Sequence, residues 1–185
     1  MKVLFLVTTM ISFPWAVLAQ QDSSGVYQSI TDFEKGRLSY AIHCTSEKHK
    51  IKRTDYYQKG YIKVIHRDTT ITLPKDSIFG YRDCHGRSFR FIDGRSYTIL
   101  NPSEYILIYK HEIRQHKHTA FHYVFSRGLR GEITSLTREN LKKAFADNAG
   151  FQNNIDQLFK KDSQLIEYDK MYGMYLINQI YQRTQ

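Results

Sequence analysis

Residues 77–110 read SIFGYRDCHGRSFRFIDGRSYTILNPSEYILIYK, and the punctuation of this stretch decides the fold. Runs of aromatic, β-branched and other apolar residues break at Asp83 to Gly86, at Asp93-Gly94 and at Asn101 to Ser103. These are turn chemistries between strands. Connections so short join antiparallel neighbours, because a parallel pair needs a crossover of a dozen or more residues. The stretch is therefore part of a β meander.

Working outward, the same pattern predicts strands over Tyr61 to His66, Thr69 to Leu73, Ser77 to Arg82, Arg87 to Ile92, Ser96 to Leu100, Glu104 to Lys110 and Lys117 to Phe125. Period-two alternation puts Phe79 and Tyr81, Phe89 and Phe91, Tyr97 and Ile99, Tyr105, Leu107 and Tyr109, and Phe121, Tyr123 and Phe125 on one side of their strands. The other side is mixed, with Arg82, Arg90, Ile106 and Ile108. The expectation is one aromatic core face and one partly covered face. Upstream, Thr31 and Glu34 form a capping-box pattern for a short helical turn ended by Gly36. A strand over Leu38 to Cys44 and a basic, solvated stretch to Gly60 with one extended piece near Ile51 follow.

After Gly131 the period lengthens to about 3.6. Thr137 caps a predicted helix to about Asp147, stopped by Asn148 to Gly150, and a second runs from Phe151 to Lys160. A third and longer one is capped by Asp162 or Ser163 and carries Leu165, Tyr168, Tyr172, Tyr175, Leu176 and Ile180 as its stripe. The fold class predicted is α+β: an antiparallel meander of about six to eight strands, then about three short amphipathic helices. The β-rich part spans 37–126 and the helical part 137–183 of one domain over 20–185.

The N-terminus begins Met1-Lys2, continues as an apolar run from Val3 to Phe13, and reaches Val17 and Ala19 at the minus-three and minus-one positions of a cleavage site. That is the plan of a signal peptide over 1–19. Thr8, Thr9, Ser12 and Pro14 interrupt the run, and no second run is long enough to span a bilayer, so no transmembrane segment is expected in the mature chain. Cleavage would leave 166 of the 185 residues, enough for one domain with its own core. The chain carries 27 Lys and Arg against 18 Asp and Glu, formally +9, and +8 once Lys2 is gone. Such a surplus attracts anionic partners and also keeps an exported protein soluble. In an oxidising compartment Cys44 and Cys84 are the only possible partners for each other. A bridge there is expected to stabilise by about 3–4 kcal/mol. Neither cysteine belongs to a Cys-x-x-Cys pair, which leaves a redox or nucleophilic role without support.

Three segments resemble a set of uncharacterised exported proteins of Bacteroidetes: GVYQSITDFEKGRLSY at 25–40, IFGYRDCHGRSFRF at 78–91, and LTRENLKKAFADNAGFQNNIDQLFKKDSQLIEYDKMYGMYLIN at 136–178. The resemblance implies a bacterial envelope protein and carries no activity with it.

Two segments invite a reading as sites. HGRSFRFIDGRSY, residues 85–97, interleaves Arg87, Arg90 and Arg95 with Phe89, Phe91 and Tyr97. Cations beside aromatic faces meet anions and stack on rings; the simpler alternative is a solvated arginine face. HEIRQHKHTAFH, residues 111–122, holds four histidines. His111 and His116 are five apart, about 140° around a helix, which misses the zinc-protease spacing. On a strand His116, His118 and His122 share a face and could ligate a divalent ion; a basic solvated hairpin is the competing reading. No G-x-S-x-G, P-loop or G-x-G-x-x-G occurs, so the elbow hydrolase, phosphate-loop and dinucleotide classes have no local support. Paired glycosidase carboxylates are spatial and stay open, although Asp147, Asp156, Asp162, Glu167 and Asp169 fall where caps and wet helix faces account for them. The sequence thus points to an exported envelope or secreted binding domain without a cofactor, its partner an acidic polymer or another envelope component. Nucleic acid is not expected there. A secreted hydrolase with an unrecognisable site is the alternative.

Overall fold

The computed structural model describes residues 22–47, 50–53, 59–115 and 118–185. The signal peptide expected over 1–19 lies outside the described residues. Among them no helix is long and apolar enough to cross a membrane.

The architecture is α+β. Strands β1 (Ser23–Tyr27), β2 (Ser39–His43), β6 (Gly80–Arg82), β7 (Ser88–Ile92), β8 (Arg95–Ile99), β9 (Ile106–Gln115), β10 (His118–Arg127) and β11 (Thr134–Ser135) make one eight-stranded antiparallel sheet. Its order is β11-β10-β9-β8-β7-β6-β1-β2. From β6 to β10 this is the expected meander, and Asp93-Gly94 turns β7 into β8 with both residues at positive φ, 49° and 70°. That geometry suits the twist of a two-residue hairpin. Strands β3 (Lys50–Arg53), β4 (Tyr61–His66) and β5 (Thr69–Pro74) form a separate three-stranded sheet. One continuous meander was the expectation. Instead, β1 pairs with both β2 and β6, so β3 to β5 leave the main sheet as an excursion between β2 and β6.

The helix α1 (Ile30–Glu34) starts two positions earlier than a Thr31 cap would set it. Ser29 is its cap: the hydroxyl accepts from the Asp32 amide at 3.1 Å, and the Asp32 carboxylate accepts from the Ser29 amide at 3.1 Å. That hydroxyl, and then the Arg37 guanidinium 2.7 Å away, hold the Asp32 carboxyl below the usual range. Helix α2 (Arg138–Ala144) is capped by Thr137 as predicted. Asn148, predicted as a stop, is the cap of α3 (Ala149–Leu158), accepting from the Phe151 amide at 2.8 Å.

The predicted third helix is broken. A 3-10 turn (Asp162–Ile166) leads into a small hairpin of β12 (Tyr168–Asp169) and β13 (Met174–Tyr175), and only then comes α4 (Leu176–Arg183). Turn chemistry overrides the stripe. The Asp169 carboxylate accepts from the amides of Met171 and Tyr172 at 2.8 and 3.2 Å, and Gly173 takes φ 66°, a region that glycine enters without cost.

Both faces of the main sheet are covered, which corrects the one-core expectation. Register decides this, because residues opposite each other share a face. Phe125 stands opposite Ile108, and Val124 opposite Tyr109. Ile106, Ile108 and Phe125 therefore bury under α2, α3 and α4, against Leu141, Phe145, Phe151, Ile155 and Ile177, all fully buried. Each such side chain contributes about 1.5–3 kcal/mol when taken from water. On the opposite face Tyr27, Phe79, Tyr97, Ile99, Leu107, Tyr109 and Val124 pack beneath Ile30 and Phe33 of α1 and Leu129 and Ile133 of the loop after β10. A third cluster joins Val26 and Ile78 to Ile62 and Val64 of the small sheet. The disulfide between Cys44 and Cys84, Cα atoms 5.6 Å apart, ties the end of β2 to the β6–β7 turn.

Candidate ligand-binding groove

The helices cover the β9 and β10 part of one face, and the small sheet packs at the β1 side. Between them lies a groove of about 1200 Å³ whose lining includes Lys75, Arg87, Phe89, Thr98, Lys110 and Glu112. Its floor follows from register. Phe89 stands opposite Thr98, Thr98 opposite Lys110, and Lys110 opposite Tyr123, one row across four strands. In the next row Phe91 faces Ser96, and Glu112 faces Phe121. A strip of hydroxyl and charged groups thus runs between aromatic residues on both sides.

Each part is held from below. Phe89 stacks on Tyr81 with ring centroids 4.5 Å apart and planes 6° from parallel, and the Tyr81 hydroxyl is 3.1 Å from the Ser96 hydroxyl. The Asp83 carboxylate accepts from the His85 and Arg87 amides at 3.0 and 2.9 Å and closes the β6–β7 turn. Its other oxygen receives the Arg87 Nε at 2.8 Å, which leaves that guanidinium 5.6 Å from the Phe89 ring centroid. Lys75 is almost wholly buried, its Nζ donating to the Gly94 carbonyl at 3.0 Å and lying 5.7 Å from the Phe91 ring. Lys110 Nζ sits 5.0 Å over Phe121, a ring half exposed to solvent. Arg95, exposed at the start of β8, borders the groove but has the parity of Tyr97, whose hydroxyl its side chain meets.

Of the residues singled out in the 85–97 segment, Arg87, Phe89 and Arg95 line this groove. Arg90 lies on the other face. Its guanidinium donates to the Tyr109 hydroxyl at 2.9 Å and the Leu129 carbonyl at 3.0 Å, over the Phe79 ring, and so braces the α1-side core. Lys75 and Lys110 were not anticipated. Lys110 carried a signal, since its parity matches Ile106 and Ile108 on β9; Lys75 carried none, because a tertiary approach to Gly94 places it.

Of the three histidines weighed as ligands, His116 lies outside the described residues. His118 and His122 share a face of β10 but stand four residues apart, about 13 Å along a strand. His122 instead faces His111 across the ladder. Among the described residues no group of three or more His, Cys, Asp or Glu is placed to hold a metal ion.

A second polar cluster sits beyond the groove's end. Burial raises the Glu104 carboxyl above the usual range, against hydrogen bonds from Asn101, the Tyr175 amide and Asn178. Burial likewise raises the Tyr123 and Tyr175 hydroxyls. These groups join the β8–β9 loop to β13 and α4. Compared with protein-family models, curated proteins and solved structures, the chain finds no match.

Proposed function

We propose that this protein is an exported, non-enzymatic binding domain of the bacterial envelope or exterior, and that the groove takes a strand of an acidic polymer, an acidic glycan. The observation that carries the reading is the approach of Lys75, Arg87 and Lys110 to one open trough that the Phe89 ring also lines and whose floor offers the Ser96 and Thr98 hydroxyls. Cations meet carboxylate or sulfate groups, ring faces pack on the apolar faces of sugars, and hydroxyls exchange hydrogen bonds with theirs. The N-terminal pattern of residues 1–19, the resemblance to exported proteins and a disulfide in keeping with an oxidising compartment support export.

Affinity for polygalacturonate, with neutral dextran as the control, tests the reading. The Debye length shrinks from about 10 Å at 0.1 M salt to about 3 Å at 1 M, so binding should weaken steeply over that range. Arg87→Ser combined with Lys110→Ser removes two exposed or half-exposed ion pairs. At about 0.2–1 kcal/mol each, this is a loss of about two- to thirtyfold. Equal binding of dextran, or an affinity indifferent to salt and to both substitutions, would refute it.

A further inference from the structure

The opposite parity of β8 to β10 carries a second arrangement, of which His111 also borders the groove. His111 of β9 and His122 of β10 stand directly opposite each other in the ladder. Tyr97 of β8 completes the row, its ring centroid 5.0 Å from that of His111 and 6.1 Å from that of His122. We propose that His111 and His122 form a binding site for a borderline divalent transition-metal ion such as Zn²⁺, with Tyr97 as a positioning residue.

The hydrogen bond of His111 sets the tautomer that ligation requires, and that of His122 admits it. His111 Nδ1 is 2.9 Å from the Ser96 carbonyl oxygen. A carbonyl only accepts, so Nδ1 carries the proton and Nε2 keeps its lone pair. His122 Nδ1 is 3.1 Å from the Tyr97 hydroxyl oxygen. When this nitrogen donates to the phenol oxygen, its Nε2 is likewise a lone-pair donor. One ring nitrogen held by a carbonyl or hydroxyl while the other faces outward is the arrangement that metal-bound histidines take, since the outer partner fixes ring orientation and tautomer. Opposed residues in an antiparallel pair hold their Cβ atoms about 4.5–5.5 Å apart, within reach of two Zn–N bonds of about 2.0–2.1 Å to one ion. Both histidines are half-buried, so an ion reaches them from solvent and water completes its coordination.

Two other described histidines are placed differently from the pair. His118 stands further along the same face, and His43 Nδ1 is bound locally to the Thr45 hydroxyl. The test uses long-range ¹H–¹⁵N spectra of the intact protein during titration with zinc chloride. The Nε2 resonances of His111 and His122 should shift together and saturate at one equivalent. By calorimetry His111→Ala and His122→Ala should each weaken zinc binding tenfold or more. Tyr97→Phe should weaken it about tenfold through the lost outer hydrogen bond, while His118→Ala leaves it unchanged. If the shifts appear on other histidines, or neither Nε2 moves at millimolar zinc, the site does not exist. The spectra need no substitution, so an unstable variant does not blunt the test.

Discussion

Replacing Asn178 by alanine should unfold this domain at a markedly lower temperature, although the residue touches neither candidate site. Asn178 is 1 % exposed, and its amide acts as a missing piece of strand. Its Oδ1 accepts from the Ile106 amide at 2.8 Å, and its Nδ2 donates to the Ile106 carbonyl at 2.9 Å. Asn101 continues the same ladder, donating to the Ile106 carbonyl at 2.8 Å and accepting from the Ile108 amide at 2.7 Å. Asn178→Ala therefore orphans the buried Ile106 N–H, at about 1–3 kcal/mol, and removes one of two donors to its carbonyl, at about 1 kcal/mol. The sum, about 2–4 kcal/mol, corresponds to a fall in Tm of about 4–16 °C for a domain of this size. Urea unfolding and calorimetry read it, with Asn153→Ala on the exposed side of α3 as a control expected within about 0.5 kcal/mol. Asn178→Asp sharpens the case. A buried carboxylate beside the Ile106 carbonyl has its folded-state pKa raised, so that variant should be most stable in acid and lose stability as pH rises. A loss below about 0.5 kcal/mol in Asn178→Ala would show that water replaces the amide and that the reasoning is wrong.

Glu104 is a second test, with a defined sign. Its folded-state pKa is raised by burial, so its contribution is fully present below the ordinary glutamate value and is lost as pH rises through the raised one. Glu104→Gln removes that slope while keeping an acceptor for the Tyr175 amide. Its stability relative to wild type should rise between about pH 4 and pH 7, measured as urea midpoints at each pH, and a constant difference would contradict the burial argument. The disulfide gives a third: with Cys44 and Cys84 separated by 40 residues, reduction or Cys84→Ser should cost about 3–4 kcal/mol in the chain-entropy account. An unchanged Tm under reductant would mean that the bridge constrains little in the unfolded chain.

The parts of the fold legible in the sequence are those fixed by local chemistry. Asp93-Gly94 specifies a tight hairpin wherever it lies, and Thr137 offers its hydroxyl to the helix that follows it. Parity within a strand is also local, but the side to which a parity belongs is not. Ile106 and Ile108 looked half-covered because nothing near them names α2 to α4 as their lid. Only the β9–β10 register, which sets Ile108 opposite Phe125, assigns them to the helical core. The stripe from Tyr168 to Ile180 misled for the opposite reason. Apolar spacing suited a helix, while Asp169 and Gly173 held a turn that the periodicity did not weigh.

The candidate sites divide in the same way. Alternation of arginine with phenylalanine in residues 85–97 marks the segment that enters the groove, yet in a strand those alternate residues face opposite ways. Phe89 and Arg87 enter the groove, and Arg90, between Phe89 and Phe91, goes to the far core. The interleaving that attracts attention in the sequence is thus the pattern that separates the cations from one another in the fold. Lys110 and Lys75 take the place vacated by Arg90 because β9 and the β5–β6 loop are brought alongside by pairing and packing. The histidines repeat the lesson. His116, His118 and His122 are neighbours in the chain, but a hairpin makes neighbours of residues equidistant from its turn, and His122 faces His111. The register of β9 against β10, which no periodicity within either strand announces, was the one inference needed to see that pair.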